Sequence, residues 1–185
     1  MKILRFFIII FISLTTSIKA DLNKTLINQL EDGGKLIFIR HAYAPGNGDP
    51  NNFNLKDCST QRNLNSIGRK QAKDIGGFFR ENKIKIYKVL SSEWCRCKET
   101  ADIAFNNYST NSFLNSFYSS KYAKNKDKQI KALNNYVKKF KSNKNLVLIT
   151  HYVLISEVLN YGPSSGEIVV SDKNFNIIGT LEIKF

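Results

Sequence analysis

Two stretches of the chain are apolar without interruption, and each stops at a histidine. Lys35–Ala42 reads KLIFIRHA and Leu146–His151 reads LVLITH. Neither has a polar face, which is how a strand covered on both sides reads in the middle of a parallel sheet. Gly33-Gly34 precede the first run, and Pro45 and Gly46 follow it. Elsewhere the period lengthens to that of a helix. Ile67, Ile75, Phe78 and Phe79 predict a helix capped by Ser66 and running to about Asn82; Cys97, Ala101, Ala104 and Phe105 predict one starting near Trp94; Ile130, Leu133, Val137 and Phe140 predict one over 126–141. Shorter signals predict a helix at Asp21–Glu31, a strand at Ile86–Leu90, a helix from Val153 to Asn160, and strands at about 167–171 and 177–184. Residues 42–63 have no periodicity, and a loop this long in a small domain tends to be functional. Residues 106–120 offer at most a short strand at Phe113-Leu114. Strands alternating with helices predict one α/β domain over 21–185, a three-layer α/β/α fold with a mostly parallel central sheet.

Residues 1–20 read differently. Lys2 and Arg5 precede the apolar run Phe6–Leu14, and a small residue, Ala20, closes the segment. This is the pattern of a secretory signal peptide cleaved after Ala20, which implies a periplasmic or secreted protein that meets the membrane only before cleavage. Its loss lowers the formal net charge from +13 to +10, because it removes Lys2, Arg5 and Lys19 and no acid. So basic a chain attracts anions. The lysines along 121–144 lack the aromatic spacing and motifs of a nucleic-acid binder, so no nucleic-acid partner is expected. Three cysteines remain. In an oxidising compartment Cys58 is expected to pair with Cys95 or Cys97. C-x-C without a second pair is poor zinc spacing, and no metal site is expected.

The chain has only two histidines, and both lie just past the carboxyl end of a buried strand. In open α/β sheets that edge is where ligands bind. Arg40 precedes the first histidine, and Arg96 opens the helix after the Ile86–Leu90 strand, so both reach the same edge. Guanidinium matches phosphate oxygens, and a neutral imidazole is a nucleophile. His41, His151, Arg40 and Arg96 around one phosphate suit phosphoryl transfer through a phosphohistidine, with arginines supplying the charge that magnesium supplies elsewhere.

The four segments IRHA (Ile39–Ala42), RNLNSIGRKQA (Arg62–Ala72), SSEWCRCKETA (Ser91–Ala101) and ITHYVLI (Ile149–Ile155) together resemble the histidine phosphatase superfamily, which includes the phosphoglycerate mutases. The resemblance implies that His41 is the phosphorylated nucleophile and that Arg40, Arg96 and His151 bind the phosphoryl group, with His151 as imidazolium. It makes Arg62 a further phosphate or substrate contact. It implies no cofactor, and as partner a small phosphorylated substrate or a phosphoprotein. The chain departs from the family after the first histidine, where it reads Ala42-Tyr43-Ala44. It departs again after the second, where Tyr152 is expected to narrow the mouth or stack on substrate. The family's usual acid follows the Arg96 helix, but 106–120 contains no Asp or Glu. Asp57, Glu93 and Asp49 are the remaining candidates for the general acid. A weak acid favours substrates with good leaving groups. A phospho-ligand-binding module of the same fold is the alternative.

Overall fold

The computed structural model describes residues 24–183. The expected signal peptide and its cleavage point lie outside these residues. A helix over 24–32 (α1) ends at Gly33 and Gly34, both with positive φ. At Gly33 a Cβ would stand 2.0 Å from the Asn143 carbonyl oxygen, so only glycine fits this turn. Strand β1 (Leu36–Arg40) follows, then a long loop containing a 3₁₀ turn at Cys58–Thr60. Helix α2 (Ser66–Glu81), strand β2 (Ile86–Ser91) and helix α3 (Cys95–Phe105) come next. Strand β3 (Ser109–Thr110), a 3₁₀ turn at Ser112–Leu114 and the short helix α4 (Ser120–Ala123) lead to α5 (Lys126–Lys139). Strand β4 (Asn145–Thr150), helix α6 (Tyr152–Leu159) and strands β5 (Ile168–Ser171) and β6 (Ile177–Leu181) complete the order.

The sheet runs β3-β2-β4-β1-β5-β6. β1 to β4 are mutually parallel where they pair, and β5 joins β1 antiparallel, so the sheet is mostly parallel as expected. Every residue of β4 is buried, and all of β1 except Arg40. Alternate residues feed two cores. Ile37, Ile39, Val147 and Ile149 pack with Leu30, Ile75, Phe79 and Ala101 of α1, α2 and α3. Leu36, Phe38, Leu146 and Leu148 pack with Leu133, Val137, Leu154 and Ile155 of α5 and α6. These are the three layers.

Three local readings are corrected. The cap of α2 is Asn65, whose side chain accepts from Gly68 N, not Ser66. Ile67 is exposed, because the buried stripe of α2 runs instead through Gly68, Gln71, Ala72, Ile75, Gly76 and Phe79. Phe113-Leu114 is a 3₁₀ turn that buries both side chains, while the strand beside β2 is Ser109–Thr110. No helix among the described residues is long and apolar enough to cross a membrane.

Candidate active site

Register brings the two histidines together. β1 and β4 are parallel with Arg40 opposite Thr150, so His41 and His151 are the next residues on neighbouring strands. His41 N donates to Thr150 O at 2.9 Å, which carries the ladder one step past the strand. The imidazole rings lie 5.5 Å apart, edge to face, and both side chains are buried. Arg96 joins them from the first turn of α3. That helix is anchored by Gln61 Oε1, which accepts from Cys95 N, and by Thr100 Oγ1, which donates to Arg96 O and accepts from Ala42 N.

The hydrogen bonds fix the tautomers. His41 Nδ1 is 2.8 Å from Ala42 O, so Nδ1 carries the proton, and Nε2 accepts from Arg96 Nε at 3.2 Å. His151 Nε2 is 2.8 Å from Ser92 Oγ, whose own proton goes to Asn115 Oδ1, so His151 donates from Nε2. His151 Nδ1 then accepts from Arg96 Nη2 at 3.4 Å. Burial, and next the Arg96 charge, hold both imidazoles well below the usual histidine pKa. His151 is thus held toward its neutral form here. Burial and the charges of Arg96, His41, Arg62 and Arg40 all push in the same direction, and the positive charge comes from the arginines.

Arg96 forms a nearly buried ion pair with Asp49, Nη1 to Oδ1 at 2.7 Å and Nη2 to Oδ2 at 3.3 Å. Asp49 also accepts from Trp94 Nε1 and Arg62 N. Although burial raises its pKa, the bonds and charge of Arg96 hold it below the usual aspartate range. Arg40 donates from Nη1 to Pro163 O and lies against the Tyr152 ring, its carbon 5.4 Å from the centroid. Its Nε is buried and makes no hydrogen bond. Arg62 donates to Gly48 O and Ala44 O, which shapes the loop after β1.

These groups floor a cavity of about 470 Å³, within the usual range for small-molecule sites. Its lining includes Arg40, His41, Asp49, Arg62, Arg96, His151 and Tyr152. Among the described residues no three His, Cys, Asp or Glu side chains are grouped to hold a metal ion. The model of the histidine phosphatase superfamily (branch 1) matches residues 36–116, the segment that carries His41 and Arg96. This segment is similar to that superfamily.

Solved structures share the fold. The protein histidine phosphatase SixA, complexed with tungstate, is 14% identical with a TM-score of 0.53, over 80% of this chain and 96% of its own. Phosphoglycerate mutase from Thermus thermophilus is 18% identical with a TM-score of 0.55, over 81% and 99%. Mycobacterial glucosyl-3-phosphoglycerate phosphatase, in complexes with VO3, is 11% identical with a TM-score of 0.53, over 75% and 92%. No curated protein matches the sequence.

Of the three acid candidates, the fold brings only Asp49 to the cavity. Asp57 is exposed and caps its own 3₁₀ turn, accepting from Ser59 N and Ser59 Oγ. Glu93 accepts from Asn115 Nδ2 at 2.6 Å and is absent from the cavity lining. Cys58 pairs with Cys95, and Cys97 is a buried free thiol that burial pushes up to about 12. Sequence reasoning missed Ser92 and Asn115, which orient His151. Ser92 directly follows the end of β2 and Asn115 stands in no motif, so nothing in the sequence marks either.

Proposed function

We propose that the protein is a phosphatase that works through a phosphohistidine on His41, without a metal. The observation that carries this reading is the His41 tautomer. With Nδ1–H tied to the Ala42 carbonyl, the lone pair sits on Nε2, which meets the cavity beside Arg96. A phosphoryl group on that floor meets Arg96, Arg40 with its unpartnered Nε, and His151. The Nε2 lone pair attacks phosphorus, the bond to the leaving oxygen breaks, and water later releases phosphate from the imidazole. The guanidiniums stabilise the transferring charge. A phosphoryl anion also supplies the opposite charge that His151 needs in order to take a proton.

Small phosphorylated molecules or a phosphoprotein are the substrates proposed, and the periplasm or exterior the location. Phosphate release from a panel of phosphomonoesters, run beside His41→Ala, tests the reading. Aryl phosphate turnover that vanadate blocks, that chelators leave alone and that His41→Ala abolishes is the expected result. One observation favours a phospho-ligand-binding module instead: the Arg96 Nε–H already engages the nucleophile's lone pair. Phosphate affinity without turnover would select that second reading.

A further inference from the structure

Phosphoryl transfer requires Arg96 and the His41 lone pair, and protein groups already engage both. Arg96 Nε–H points at His41 Nε2, Nη1 at Asp49 Oδ1 and Arg62 O, and Nη2 at Asp49 Oδ2 and His151 Nδ1. A guanidinium has five N–H groups, so none is left over for a ligand. The Asp49 carboxylate grips the fork with two oxygens, as a phosphate does. Among the described residues it is also the only acid lining the cavity.

We propose that Asp49 is a resident anion on the phosphoryl-binding fork, that substrate displaces it, and that the displaced carboxyl group then protonates the leaving oxygen. This rests on the phosphohistidine reading above. Two carboxylate oxygens and two phosphoryl oxygens cannot share one edge of Arg96, and a dianion outcompetes a monoanion for it. Once displaced, Asp49 loses its counter-charge and gains an anionic neighbour, and both changes favour its protonated form. The substrate binds as the dianion, its second proton being lost near pH 6, and the displaced carboxylate takes its proton from solvent at the mouth of the cavity. In the transfer step the N–P bond forms from the His41 lone pair. The P–O ester bond breaks with its electrons on oxygen, and that oxygen takes the Asp49 proton to leave as an alcohol. Asp49, again a carboxylate, then accepts a proton from the water that attacks the phosphohistidine.

A carboxylate that merely positions Arg96 makes the opposite prediction for binding. Calorimetry with inorganic phosphate on the unsubstituted protein, Asp49→Asn and Asp49→Ala separates the two. Trp94 Nε1 and Arg62 N bond different oxygens of Asp49, so Asp49→Asn keeps an acceptor for one of them and Asp49→Ala for neither; the thermal midpoint of each variant, measured alongside, checks that the loop holds its shape. Displacement predicts severalfold tighter phosphate binding in both variants; equal or weaker binding in both overturns it. The proton-donor role predicts that Asp49→Asn slows an alkyl phosphate by about 10²-fold while p-nitrophenyl phosphate, whose leaving group needs no proton, falls much less. Equal losses on both esters overturn that role. If the unsubstituted protein binds phosphate but cleaves neither ester, the phosphatase reading and the proton donor fall together, while the binding comparison still decides displacement.

Discussion

His41 and His151 are buried side by side against Arg96, and both are held neutral, well below the ordinary histidine value of 6.5. In the unfolded chain each binds a proton near pH 6.5, while in the folded protein it does not. The unfolded state therefore gains protons first as pH falls. Stability present above pH 6.5 is lost progressively below it, down to the depressed folded pKa values. We expect the thermal midpoint to drop between pH 7 and 5, with a shallower slope in His151→Asn, which removes one of the two protons. Matching slopes would show that some other group governs the acid limb. The same neutrality keeps the nucleophile competent in mild acid, so turnover should persist below pH 6.5 until unfolding intervenes. Arg96→Lys replaces a fork that reaches both histidines and Asp49 with a single point charge. It is expected to lower kcat by about 10²-fold, checked with aryl phosphate at saturation.

At the scale of elements, the site depends on how the loop after β1 is pinned. The Cys58–Cys95 bond ties it to the start of α3, beside Arg96, and Asp49 and Arg62 fold the loop inward. Cys58→Ser with Cys95→Ser should cost about 2–4 kcal/mol in denaturant titration and raise KM, because the loop that carries Asp49 is loosened. Cys97 is no substitute partner: its thiol is buried and pushed up to about 12, so iodoacetamide should leave the folded protein unmodified at pH 8. Gly68 is a second pin, since a Cβ there would stand 2.0 Å from the Tyr43 carbonyl oxygen. The strands β1 and β4 were legible in the sequence because burial on both faces leaves an unbroken apolar run. The two histidines were legible because a strand end is a fixed place in the fold. The pairing of Cys58 with Cys95, the position of Asp49 and the edge strand β3 were not. Each is set by contacts between residues far apart in the chain, and β3, at two residues, is too short to show a period.

At the scale of the whole molecule, charge is the property still to be connected to function. The chain carries a formal +13, and Lys128, Lys131, Lys138 and Lys139 lie exposed on α5. That helix covers the face of the sheet that also holds α6, and its lysines are absent from the cavity lining, whereas Lys121 of α4 lines it. A net positive field raises the encounter rate of an anionic substrate and weakens as salt shortens its range to about 10 Å at 0.1 M. For a phosphomonoester, kcat/KM should therefore fall with added salt while kcat holds steady, because the field acts on encounter and not on the bound complex. The lysines divide by position. Lys121→Glu reverses a charge at the mouth and should lower kcat/KM at low salt severalfold. Lys131→Glu makes the same change in net charge away from the cavity and should cost far less. Steady-state kinetics of the two variants across ionic strength decide the matter: equal losses would assign the steering to net charge, and no salt dependence in either would remove steering altogether.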